Sequence, residues 1–78
     1  MRAFVLVNTD PSYMDDVCQE LLAIDGVLEA HMLYGAVDII AIVTSDTMKE
    51  LKDILAWKIR KIKKIRSSQT LIAMDDTS

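Results

Sequence analysis

Seventy-eight residues leave room for one domain, and one cysteine (Cys18) with one histidine (His31) excludes an internal disulfide and a Cys–His zinc site. The hydrophobic share, 51%, is high for a small chain, yet no run approaches the roughly 18 apolar residues of a membrane span. A net charge of −3 argues against general nucleic-acid binding.

In chain order, Ala3-Phe4-Val5-Leu6-Val7 is β-branched and apolar and predicts a central strand, ended by Asn8-Thr9-Asp10-Pro11. That interruption comes too early for a signal peptide, so the expected location is cytoplasmic, with no membrane partner. Asp10-Pro11 is a helix start, with Asp10 as N-cap and Pro11 at the first helical position, where its missing N–H costs nothing. Met14, Val17, Leu21 and Ile24 recur on one helical face, and Asp25-Gly26 stops the helix with a glycine suited to a left-handed cap. Residues 27–34 read as a second strand, Gly35-Ala36 as a tight turn and 37–44 as a third strand. Ser45 or Asp46 caps a second helix whose buried stripe is Met48, Leu51, Leu55, Ile59 and Ile62. Residues 67–74 form the last strand and 75–78 a frayed tail.

The order β-α-β-β-α-β is the split βαβ, or ferredoxin-like, α+β arrangement: a four-stranded antiparallel sheet with both helices on one face. The first and third strands are apolar on both sides of the pleat, so both faces need cover. The helices cover one. A second subunit is expected over the other, giving a dimeric α/β sandwich with Phe4, Leu6, Ile40 and Ile42 in the interface. Association also answers the marginal core of a short chain, which buries only about 60% of its unfolded surface. The basic run from Lys58 to Arg66 holds no acid and suits the negative end of the second helix. As an RNA surface it lacks the stacked aromatics of RNA-binding sheets.

The Gly35-x-x-Asp38 turn, the apolar strand after it, the capped helix and the run from Ile59 to Ile72 together resemble a known module. It is the RAM domain (regulation of amino-acid metabolism), the effector-binding and oligomerising domain of the Lrp/AsnC family of feast/famine transcription regulators. The resemblance runs from Arg2 to about Met74. The family's helix-turn-helix is missing, so the chain resembles a stand-alone RAM-like domain over 1–78. Val37 stands where the family often has an aromatic residue before the aspartate.

The resemblance implies an amino-acid effector, a homodimer growing to a tetramer or octamer, co-assembly with full-length Lrp/AsnC regulators, and no direct DNA binding. It places the effector at Tyr34, Gly35, Ala36 and Asp38, with Ser68 and Thr70 near the pocket between dimers. Asp38 would face the ligand ammonium, while bare backbone N–H groups at Gly35-Ala36 would hold its carboxylate. Plainer roles stand beside these. Asp38 caps a hairpin, Gly35 supplies a positive φ, and the hydroxyls of Ser67, Ser68 and Thr70 dress an edge strand. Trp57 is either a lid over lysine stems or an interface anchor. His31 is structural or at the surface, and Cys18 fills space beside the helix stripe. No catalytic constellation, metal cluster or cofactor motif emerges. Two other function classes stay open: a structural oligomer without ligand, favoured if Val37 collapses the pocket, and a small dimeric ferredoxin-like enzyme using His31 as base.

Overall fold

Two in-register apolar strands organise the chain. The computed structural model describes residues 1–74, so the expected tail at 75–78 lies outside the described residues. The elements are β1 (Arg2–Thr9), a 3-10 turn (Pro11–Tyr13), α1 (Met14–Leu22), β2 (Val27–Met32) and β3 (Ile39–Thr44). There follow α2 (Met48–Asp53), continuing as a π-helical segment (Ile54–Ile59), and β4 (Ile65–Ile72). The sheet runs β2-β3-β1-β4 with antiparallel neighbours throughout. This is the ferredoxin-like arrangement expected from the order of elements.

The pleat sorts the side chains. Ala3, Val5 and Val7 of β1 and Ile39, Ala41 and Val43 of β3 are buried against Val17, Leu21, Leu51, Ile54 and Ile59 of the helical layer. Burying one such side chain contributes about 1.5–3 kcal/mol. The alternate residues point the other way. Phe4 stands opposite Ile42 and Leu6 opposite Ile40, all four half-buried on a face that no element among the described residues covers.

Several local expectations are corrected. Asp10 and Pro11 do begin the helical stretch, but its first turn is 3-10: the Asp10 carboxylate accepts from Ser12 N at 2.9 Å and Ser12 Oγ at 2.7 Å. The second helix is capped by neither Ser45 nor Asp46. Thr47 Oγ1 accepts from Glu50 N at 3.1 Å, and the Thr47-x-x-Glu50 spacing is that of a capping box. That helix is not α throughout. From Ile54 it widens into a π turn, and Ile54 and Ile59, five apart, are both buried. The second strand stops at Met32 and the third begins at Ile39, so a loop of residues 33–38 replaces the tight turn. β4 starts two residues earlier than expected and ends at Ile72.

Glycine 26 holds the left-handed position expected of it, at φ 102°, and a side chain there would meet Ile54 Cδ1 at 2.5 Å. Gly35 has no positive φ and open space around its Cα, so the role proposed for it in shaping the turn is wrong. Its loop is held instead by Leu33 N donating to Asp38 O at 2.7 Å and Asp38 N to Val7 O at 2.9 Å.

Candidate functional site

The residues singled out from the sequence fall into three places. The first is the 33–38 loop. Tyr34 projects fully into solvent, and Gly35 and Ala36 are exposed. Asp38 is half-buried, and its Oδ2 accepts from Thr9 N at 2.9 Å. The carboxylate therefore caps the end of β1, a partner across the sheet and not its own turn. Its second oxygen has no hydrogen bond within the described residues. It is positioned and still open to a donor.

Thr9 escaped notice in the sequence, where it only ended a strand. It is the buried polar residue of the described chain, 3% exposed. While its N–H binds Asp38, its Oγ1 donates to Lys64 O at 2.6 Å. One side chain thus ties the end of β1 to the stretch that enters β4. Lys64 in turn places its ammonium 3.7 Å from the Tyr13 ring centre, a cation–π contact.

The second place is a groove of about 580 Å³ between the π segment and β4. Ser68 and Thr70 line one wall, because β4 pairs Ser68 with Val7 and Thr70 with Val5 on the helical side. Leu55 and Ile65, both half-buried, supply apolar surface beside the buried Val5, Ile59 and Ile62, while Lys52, Arg60 and Arg66 stand at it as cations. Arg60 belongs to the basic run from Lys58 to Arg66 that the sequence singles out, whereas Lys52 carries no signal there. The lining does not include Tyr34, Gly35, Ala36 or Asp38. Asp38 and Ser68 both meet Val7, from opposite sides of β1, so one strand separates the two sets.

The third place is the uncovered sheet face with Phe4, Leu6, Ile40 and Ile42. His31 lies on it, exposed, with Nε2 2.9 Å from Glu29 Oε1. Trp57 does not share that face. It sits on the π segment in the helical layer, 66% exposed, with no cation over its ring among the described residues. Cys18 is buried, its Sγ 3.5 Å from Ala30 O, and burial, reinforced by Asp15, pushes its thiol above the ordinary value. Ser12 bonds hold the Asp10 carboxyl below its ordinary value.

The model of the Lrp/AsnC ligand binding domain matches residues 2–78. The chain belongs to the Lrp/AsnC family. Regulatory protein AsnC of Haemophilus influenzae is 37% identical over 62 residues, covering 80% of this chain and 41% of that protein. An uncharacterized HTH-type transcriptional regulator of Pyrococcus furiosus is 31% identical over 74 residues, 91% of this chain and 49% of its own length. The chain thus spans about half the length of the curated relatives it matches. Among solved structures, hypothetical protein PHS023 from Pyrococcus horikoshii superposes with a TM-score of 0.89 at 37% identity, covering 97% of this chain and 92% of that one. AsnC of E. coli shares the fold at a TM-score of 0.87 and 24% identity, over 99% of this chain and 52% of that one. As an Lrp/AsnC ligand-binding domain, the chain has transcription regulators for relatives. No helix of its described residues is long and apolar enough to cross a membrane.

Proposed function

We propose that this Lrp/AsnC domain is a non-enzymatic regulatory module. It pairs through the sheet face bearing Phe4, Leu6, Ile40 and Ile42, assembles further, and binds an amino-acid effector beside Asp38. It acts on transcription by co-assembling with full-length members of its family and does not itself contact DNA. The observation that carries this reading is the match of residues 2–78 to a ligand-binding domain. The half-buried apolar face and the spare Asp38 oxygen support it.

In this reading the ligand ammonium pairs with the free Asp38 oxygen and its carboxylate meets the Gly35-Ala36 backbone. Ser68 and Thr70 enter from a neighbouring copy, since within one chain β1 lies between them and Asp38. Calorimetry with the common amino acids tests it, on the wild type and on Asp38→Asn. Asparagine keeps an acceptor for Thr9 N while removing the charge, so a loss reports binding and not unfolding. One amino acid should bind, and Asp38→Asn should weaken it by about 2–5 kcal/mol, the cost of removing one partner of a buried charge pair. No binding at millimolar concentration would pass the lead to a structural oligomer without ligand. The bond already made by Asp38 to Thr9 favours that second reading.

A further inference from the structure

The groove over β4 differs in chemistry from the loop that carries Asp38. Among the described residues its lining contains three cations, Lys52, Arg60 and Arg66, and no acidic side chain. Two further hollows of the chain both hold acids: Asp25, Asp46, Glu50 and Asp53 in one, Asp16 and Glu20 in the other. Lys52 and Arg60 have no ion-pair partner among the described residues, and Arg66 has only Asp10, at 3.8 Å between two exposed groups. Such a pair is weak and easily exchanged. The floor is apolar, and Ser68 and Thr70 offer hydroxyl donors along the β4 wall.

We propose that this groove is a second ligand site, which takes a small monocarboxylate with an apolar body and no ammonium group. At about 580 Å³ it is within the size range of small-molecule pockets. An apolar body covers the half-buried Leu55 and Ile65, and a carboxylate meets Arg60 and Lys52 as charge-assisted hydrogen bonds. A zwitterionic amino acid fits badly, because its ammonium would lie among like charges with no carboxylate of the described residues to receive it. The site is complete within one chain. Ser68 and Thr70 are shared with the effector reading, but Asp38 is not, and this separates the two experimentally.

Decanoate is the probe and decylammonium its control, equal in tail and opposite in head charge. Both are titrated below their micellar concentrations while the backbone amide signals of Ala56, Ser68 and Thr70 are followed by NMR. Decanoate should move those signals to saturation, and decylammonium should not. The double variant K52Q/R60Q should weaken decanoate about tenfold or more. Ala56 is exposed at the groove, so Ala56→Trp should fill the space and abolish binding with little cost to the fold. Asp38→Asn should leave decanoate affinity unchanged, whatever it does to an amino acid. Equal binding of both probes, shifts centred on the Phe4–Ile40 face, or retained binding in Ala56→Trp would each overturn the proposal. So would loss of decanoate binding in Asp38→Asn, which would make the groove part of a single effector site. If the groove signals ignore decanoate and instead shift with protein concentration, a second copy of the chain occupies it and the proposal falls.

Discussion

β1 and β4 are both eight residues long and lie side by side in the sheet, yet they live under different conditions. Every second residue of β1 is buried, whereas β4 has no buried residue at all. Hydrophobicity alone does not explain this, since β4 carries Ile65, Leu71 and Ile72. Position does. β1 lies between two strands beneath the helical layer, while β4 is the sheet edge and the π segment leaves a groove beside it. The fold's stability therefore rests on the β1–β3 pair, and β4 is free to carry hydroxyls that packing does not require.

The largest expected effect separates the two regions directly. Ile39→Ala, at a fully buried position of β3 in the β1–β3 pair, should cost about 2–5 kcal/mol by denaturant unfolding. Thr70→Ala on β4 should stay within about 0.5 kcal/mol. Equal costs would erase the distinction between core strand and edge strand.

The uncovered side of the central strands gives the next effect. Ile40→Asp places a charge on the half-buried face without touching the helical core. If that face is the interface, native mass spectrometry should show dimers falling to monomers, because an unpaired buried charge costs several kcal/mol. A dimer that persists would move the contact elsewhere, with Trp57 as the next anchor to replace.

The smallest effect lies where the two strands are tied together. Thr9→Val keeps the N–H that binds Asp38 and deletes the hydroxyl bond to Lys64 O. A loss of about 1–3 kcal/mol is expected for leaving that carbonyl unpaired, with faster amide exchange at the start of β4 and little change in β3. Uniform exchange across the sheet would show that Thr9 does not secure the edge strand.

The order of elements was legible because β1, α1 and β3 have strong apolar periodicity and sharp punctuation at Asp10-Pro11 and Gly26. Boundaries were less so where apolar residues continue past the pairing that would make them a strand. Leu33 and Val37 look like strand on composition, but the β2–β3 ladder ends at Met32 opposite Ile39. Gly35 suggests a tight turn only where the gap is two residues, and here six residues, 33–38, separate β2 from β3. The π turn was hidden by the assumption of a 3.6-residue period, under which Ile54 and Ile59 do not stack. Of the site, Asp38 stood out as a carboxylate in apolar surroundings, though its partner, Thr9, is 29 residues away and left no local trace. The groove was invisible for the same reason: Lys52, Arg60 and Ser68 meet through the packing of a helix on a strand, which no spacing in the chain announces.

The π segment also sets a helical phase. In an α-helix each residue advances about 100°, so six residues bonded in the wider pattern leave everything beyond them rotated relative to α continuation. Arg60 follows that segment immediately, while Lys52 precedes it. Returning the segment to α bonding at unchanged length would swing Arg60 by about 100° around the axis relative to Lys52, whereas deleting one residue between Ile54 and Ile59 would remove the extra residue and leave Arg60 nearly in place. The angle between two cations at the groove is thus fixed by how a short stretch of backbone chooses its hydrogen-bond acceptors, and a change of that choice acts as a rotary adjustment of charge.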